Sequence, residues 1–446
     1  MIFRNRLHLV PLLALVFLWN ACGEKENITI SPDHFHQSVD KVTDVMIHDI
    51  FSPPVASRIY AYPNVAAYEI LASNSQEFNS LSGQLTDFPP IPSPQESANV
   101  NYELAALIAH IELNKRLIFS EEKITTYRDS LYQVWKGVNE PQFEASKSYG
   151  LAVADHVGQW MDKDNYKQTR TMPKFSIQTD DPSRWQPTPP AYMDGIEPHW
   201  NKIRPFVLDS AAQFKPAPPP AFSMEEGSDF YKELEEVYEI SQEITKNGDT
   251  SEEIAIAQFW DCNPYVSITR GHLMFATKKI TPGAHWIGIA EIASKKAEHD
   301  VNHTVFTYTK TSLAIADAFI SCWDEKYRSN LIRPESLINE HIDESWQPIL
   351  QTPPFPEYVS GHSVVSGAAS EVLTKIFGDD FSFNDTTELP YGLPIRNFKS
   401  FRQAAQEAAV SRLYGGIHYR AAVDIGLQQG QDLGQFVAKN LKMKKS

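Results

Sequence analysis

The stretch Pro353–Phe377, PPFPEYVSGHSVVSGAASEVLTKIF, changes character at its middle. Prolines at 353, 354 and 356 hold the first part extended, because each fixes φ and lacks an N–H. From Ser360-Gly361-His362 to Phe377 the apolar side chains fall at three- and four-residue spacing, the pattern of a helix packed on one side. A helix that opens there presents free N–H groups and the positive end of its dipole. Gly361 lets a ligand come close to the backbone. Ser360 serves as the N-cap or offers its hydroxyl to the same point, beside which His362 projects.

The helical period recurs along the 446 residues. It marks 38–50, 101–118, 121–135, 144–161, 230–245, 252–259, 285–297, 304–323, 401–413 and about 420–441. Between Asp181 and Pro220 lie ten prolines, which exclude helix there, and the aromatics Trp185, Tyr192, Trp200, Phe206 and Phe214 favour a packed meander over a tether. FSFNDTTELPYGLPIRNF (381–398) is a second irregular patch with room for a short hairpin. No alternating strand series and no internal repeat accompanies them. The expected fold is all-α, a large helical bundle with a proline-rich meander and at most a short hairpin. Residues 23–446 are expected to form one helical domain, with about 300–446 carrying the functional site.

A composition of 42% hydrophobic and 22% charged residues suits a globular chain, and a net charge of −16 argues against nucleic acid and anionic lipid surfaces as partners. At the N-terminus, arginines precede an apolar run, Leu7–Trp19, too short for a membrane span, and Ala21-Cys22-Gly23 follows. The pattern resembles a bacterial lipoprotein signal peptide over 1–22, with lipidation at Cys22, and an ordinary signal peptide is the alternative. Both imply export, to the periplasm or cell surface, with membrane contact only through the lipid on Cys22. The remaining cysteines, Cys262 and Cys322, make no disulfide framework, and their pairing is left open.

Two further segments bring cations and a histidine. In KYRSNLIRP, Lys326 and Arg333 are seven apart, about 700° of helix, so both are expected on one helix face, and Pro334 discourages helix beyond them. In SRLYGGIHYR (411–420), two glycines end one helix so that Arg412 and His418 reach a common centre from two different helices. Three fixed positive charges in an acidic chain call for an anion with several oxygens, such as phosphate or vanadate.

Taken in order, Lys-x6-Arg-Pro, Ser-Gly-His and Ser-Arg-x5-His resemble the three-part signature of the vanadium-dependent haloperoxidases. The acid phosphatases of the type 2 phosphatidic acid phosphatase superfamily share it. Residues 52–69, the meander and TSLAIADAFISCWDEKY (311–327) also look like haloperoxidase segments. The resemblance implies a vanadate cofactor with vanadium bound by His418. Lys326, Arg333, Ser360, Gly361 and Arg412 would hold its oxygens, His362 would act as acid–base, and Lys326 would also polarise bound peroxide. The implied reaction is oxidation of a halide by hydrogen peroxide to hypohalous acid. Iodide comes first and bromide second, and an organic molecule is a possible further acceptor of the halogen. Trp323, Phe355, Tyr265 and Asp324 would line the halide pocket, as in bacterial iodoperoxidases. For the three aromatics the core, and for Asp324 an exposed helix face, is the alternative placement. Oligomeric state is left open.

The alternative activity is phosphomonoester hydrolysis with His418 as nucleophile. The phosphatase pattern continues His-x3-Asp, whereas Ala422 stands at that place here, which removes the usual carboxylate partner of the histidine. Val359 stands where both families often have proline. A third reading is an anion-binding lipoprotein without catalysis. His299 and His303, four apart around Asp300, have a spacing that suits zinc but no evident third ligand, so a polar helix face is the expectation.

Overall fold

The computed structural model describes residues 26–246, 248, 251–264, 267–270, 273–276 and 279–445, with backbone alone at 267–270 and 273–276. The expected leader with Cys22, and Tyr265, lie outside the described residues. The chain runs through α1 (Pro32–Asp49), α2 (Pro53–Ser73), α3 (Tyr102–Lys115), α4 (Glu121–Val138), α5 (Glu140–Met161) and a short α6 (Tyr166–Thr169). After the meander come α7 (Asp229–Thr245), α8 (Glu252–Phe259), a hairpin of β1 (Ser267–Arg270) and β2 (Leu273–Ala276), α9 (Pro282–Lys296) and α10 (Val301–Ser329). The last part holds α11 (Pro334–His341), α12 (Gly361–Phe377), a second hairpin of β3 (Phe383–Asp385) and β4 (Arg396–Phe398), α13 (Phe401–Tyr414) and α14 (Arg420–Asn440). The β3–β4 pair sits in the irregular patch where a hairpin was expected. β1–β2 adds another, and the fold is all-α.

One hydrophobic cluster extends from Ile28 to Met443. α2 gave no amphipathic signal because it has no polar face: every residue from Pro53 to Ala72 is buried, and Pro63 lies inside the helix. α10 crosses the middle and packs on α2, α9, α12 and α14. The proline-rich segment is pressed against it. Asp317, fully buried on α10, accepts the N–H groups of Phe206, Val207 and Leu208 at 2.7, 2.7 and 3.1 Å. Trp185, Trp200 and Phe206 are buried there, whereas Tyr192 is exposed.

Lys326 and Arg333 do not share a helix, contrary to the expectation. α10 stops at Asn330, which takes the left-handed conformation at φ 49°. Residues 330–332 then bond to the meander, with Ile332 N–H donating to Ser183 O (2.9 Å) and Trp185 N–H to Asn330 O (2.9 Å). Arg333 becomes the N-cap of α11, and Pro334 starts that helix, because the first turn needs no N–H from it.

The tightest contact near the site joins α12 to α14. A Cβ on Gly430 would stand 2.1 Å from Val364 O, and one on Gly434 would stand 2.5 Å from Ala368 O, so the two backbones touch. This seam sets where the start of α12 and the start of α14 meet. Gly430→Ala is expected to lower stability by about 3 kcal/mol, since backbone cannot yield as a side chain tip can. Urea unfolding at constant m-value measures it, and an unchanged midpoint would refute the seam.

Candidate active site

Three buried cations converge from three elements. Lys326, on the last turns of α10, has no solvent exposure. Its Nζ donates to the carbonyls of Pro356 (3.0 Å), Glu357 (3.1 Å) and Val359 (2.6 Å), so it holds the extended proline segment in place. Burial pulls this ammonium down to about 7, which Cys322 and Glu357 oppose and Arg333 reinforces. Arg333 donates Nε to Phe355 O (3.0 Å) and Nη1 to Ile417 O (2.7 Å), while its Nη2 is buried without a partner among the described residues. Arg412, on α13, donates Nη1 to Trp260 O (2.6 Å) and leaves Nε buried and unpartnered in the same sense. Burial lowers the pKa of both guanidinium groups, that of Arg333 to about 10.

His418 sits between α13 and α14, beyond the glycine pair, and is 3% exposed. Its Nε2 lies 3.2 Å from Arg333 Nη1 and its Nδ1 lies 2.7 Å from Glu357 Oε1. Arginine can only donate, so Nε2 is the bare acceptor and Nδ1 carries the proton. Burial first, then Arg333, Lys326 and Arg412, hold the His418 pKa well below its ordinary value, so the ring is neutral. Its Nε2 lone pair therefore faces the cations, the form in which imidazole binds a metal.

Glu357 is the functional residue that the sequence reading missed. Its Oε1 accepts both the His418 Nδ1–H and the Tyr419 N–H (3.0 Å). Burial raises its pKa to about 8 against the pull of Arg333 and Lys326. Oε1 remains an acceptor in either protonation state, because Oε2 is the oxygen without a partner. The carboxylate partner judged absent because of Ala422 is thus supplied from the other side of the site. The available signal was a single acidic residue in an otherwise uncharged stretch, 352–359.

The start of α12 closes the arrangement. Ser360 is its N-cap, accepting from Ser363 N–H at 3.3 Å, and its own N–H is tied to Ala422 O (3.0 Å). The expected helix start thus forms with valine at 359. A Cβ on Gly361 would lie 3.5 Å from the Trp323 ring and 3.9 Å from Lys326 Cε. His362 is partly exposed as a residue, yet its Nε2 is buried and unpartnered. Burial and Arg412 hold its pKa well below the usual range, so it too is neutral. Gly361, His362, Arg412 and His418 line one cavity with Trp323 and Phe355.

Trp323 and Phe355 are thus pocket walls as well as core, with ring centroids 5.0 Å apart, and Lys326 Nζ lies 4.9 Å from the Phe355 centroid. Asp324 is not brought to the cavity. Its carboxylate turns to Asn201 Nδ2 (2.9 Å) and Arg328 (3.0 Å), because the adjacent helix position faces the meander. Cys262 and Cys322 are buried free thiols. His303, on α10, pairs with Asp300 and Glu77, whereas His299 precedes that helix and stacks on Phe377, so the two do not form the polar helix face expected for the pair.

Three buried cations, a helix N-terminus and two neutral histidines are thus gathered in one all-α fold, a donor set that suits an oxyanion with several oxygens. A solved bacterial vanadium-dependent iodoperoxidase is similar at 67% identity over 95% of this chain and 100% of that one, with a TM-score of 0.92. The chain belongs to the vanadium-dependent haloperoxidase family. The VCPO second helical-bundle domain model matches residues 306–445. Two structures of bacterial vanadium-dependent chloroperoxidase, holo-type and apo-type, share the fold at 17% and 16% identity, with TM-scores of 0.67 and 0.64. They cover 94% and 88% of this chain, and 98% and 95% of their own. None of the curated proteins matches the chain.

Proposed function

We propose that the cage holds vanadate and that the enzyme oxidises iodide with hydrogen peroxide. The carrying observation is the His418 Nε2 lone pair, fixed by Glu357 and Arg333 among buried N–H groups that lack partners. Such donors fit a group with several oxygens. Arg333 and Arg412 with the Ser360–Gly361 helix start would hold those oxygens, Lys326, whose three donors are taken by carbonyls, would balance their charge, and His418 would bind the metal. Bound there, vanadate supplies a Lewis acid that makes peroxide electrophilic without a change of oxidation state.

The chain's own groups do the rest. Neutral His362 takes a proton at Nε2 from incoming peroxide and returns it to the departing oxygen. The Lys326 ammonium draws electron density from the oxygen that the halide meets. Trp323 and Phe355 keep bulk water from that oxygen and present polarisable faces that suit a large, weakly hydrated anion. Iodide is also the easiest of the halides to oxidise, and the 67%-identical relative is described as an iodoperoxidase. Bromide stands second.

Glu357 favours a second reading, because a carboxylate on the far nitrogen of His418 also suits a phosphohistidine nucleophile in a phosphomonoesterase. Reconstitution with vanadate separates the two. Triiodide formation from iodide and peroxide that depends on vanadate supports the haloperoxidase. Hydrolysis of a chromogenic phosphate ester that vanadate inhibits supports the phosphatase. Export as a lipoprotein is part of the proposal, and mass spectrometry for a lipidated Cys22 tests it.

Glu357→Leu is expected to weaken vanadate affinity about 10–100-fold, the usual effect of losing the partner that orients a metal-binding histidine. Glu357→Gln keeps an acceptor oxygen and should lose far less. Titration followed by vanadium-51 NMR compares them, and equal losses would point to the charge of Glu357 and away from its hydrogen bond.

A further inference from the structure

Behind one wall of the same cavity lies a constellation that the proposed reaction does not use. Cys262 follows α8, His285 is on α9, and Glu388 follows β3. All three are buried. Cys262 Sγ lies 3.5 Å from His285 Nδ1, Nδ1 lies 3.4 Å from Glu388 Oε1, and Sγ lies 3.9 Å from that oxygen. We propose that Cys262, His285 and Glu388 form a binding site for one divalent transition-metal ion of the zinc class.

Tetrahedral zinc with sulfur at about 2.3 Å and nitrogen or oxygen near 2.0–2.1 Å separates neighbouring donor atoms by about 3.3–3.6 Å. Two of the three observed edges fall in that range, and the third closes with a small turn of the Glu388 side chain. The far nitrogen of His285 supports the same reading. Nε2 lies 2.8 Å from Asp385 Oδ2 and 2.8 Å from Thr387 Oγ1, the carboxylate–histidine pairing that turns the other nitrogen toward a metal. Trp260 stacks on the imidazole at 4.3 Å and 19°, which fixes the ring plane.

Glu388 adds a third argument. Among the described residues its carboxylate receives the long hydrogen bond from the Cys262 thiol and faces His285 Nδ1 at 3.4 Å, and no lysine or arginine pairs with it. A metal ion held by the same three groups would take the place of the proton on His285 and bring its positive charge to this buried carboxylate. The three ligands leave a fourth position for water. The role is architectural: the turn that carries Cys262 also carries Trp260 O, which anchors Arg412, and Cys262 itself lines the cavity. The proposal stands apart from the vanadate reading.

The test uses the full chain, freed of metals by a chelator and kept free of vanadate. Cobalt(II) should bind at about one per chain and give the near-ultraviolet sulfur-to-cobalt charge-transfer band, which zinc then displaces. Zinc should raise the Tm. Cys262→Ser should lose the band, and Asp385→Asn, which keeps all three ligands, should bind about 10–100-fold more weakly. No thiolate band and no rise in Tm with excess metal overturns the proposal, whatever the variants do. A band that survives in Cys262→Ser overturns it as well, by assigning the metal to Cys22 or Cys322.

Discussion

Replacing His418 by alanine should leave a chain that oxidises iodide at no more than about one-thousandth of the wild-type rate, the upper range for removal of one preorganised active-site group. It should also fail to retain vanadate through dialysis. The imidazole is the nitrogen donor that Glu357 and Arg333 fix toward the cage, whereas His362, which lines the same cavity, lies at the start of α12 and is assigned to proton transfer. The surrounding N–H donors survive in the variant, because Arg333 Nη1 keeps Ile417 O and Glu357 Oε1 keeps the Tyr419 N–H. Weak electrostatic attraction for oxyanions therefore persists, and the loss in stability stays at about 1–3 kcal/mol from two broken hydrogen bonds. Vanadate binding and triiodide formation are read together with thermal unfolding. A folded variant that holds vanadate with unchanged affinity would remove His418 from the site.

Lys326→Met should weaken vanadate about 10²-fold or more and remove most of the pH dependence of binding in the wild type. Burial leaves the Lys326 pKa at about 7 in the free protein, and an anion beside the ammonium raises it. The anion-bound form then holds a proton that the free form has lost, so affinity falls as pH rises above 7, by about tenfold per unit. Glu357, raised to about 8, acts with the same sign, because its ionisation adds negative charge next to the anion. Toward acid, affinity stays level until His418 is protonated, which burial and its cationic neighbours delay to well below the ordinary histidine value. Dissociation constants for wild type and variant across pH 6–9 are the measurement, corrected for the ionisation of vanadate itself. A parallel pH slope in the two proteins would show that Lys326 is not the titrating group.

These two predictions use residues of different legibility. Lys326, Arg333, Ser360, Gly361, His362, Arg412 and His418 were all readable, because their spacing fits a known signature and each segment carries its own stop or start signal. The Gly415–Gly416 break and the Ser360 cap are local chemistry, and the structure has α13 ending at Tyr414 and α12 starting at Gly361. The geometry of Lys326 and Arg333 was misread. A seven-residue spacing suggests one helix face, whereas Asn330 and the meander end α10 first and bring Arg333 in on the cap of the next helix. α2 was missed for the opposite reason: a helix buried on all sides has no period to detect.

The sequence by itself determined the helical class, the proline meander and the identity of the cationic cage. Each of these is written in neighbouring residues, through periodicity, fixed φ angles and caps that act over a few positions. Only the tertiary structure decided that Glu357 replaces the carboxylate missing at Ala422, that Asp324 turns away from the cavity, and that Cys262, His285 and Glu388 meet. The contacts of Glu357 with His418, of Asp324 with Asn201, and of Cys262 with His285 and Glu388 join residues 23 to 126 positions apart. Spacing along a chain carries no information about a hydrogen bond whose partners are brought together by the packing of α9, α12 and α14, and that packing is set by burial summed over the whole core.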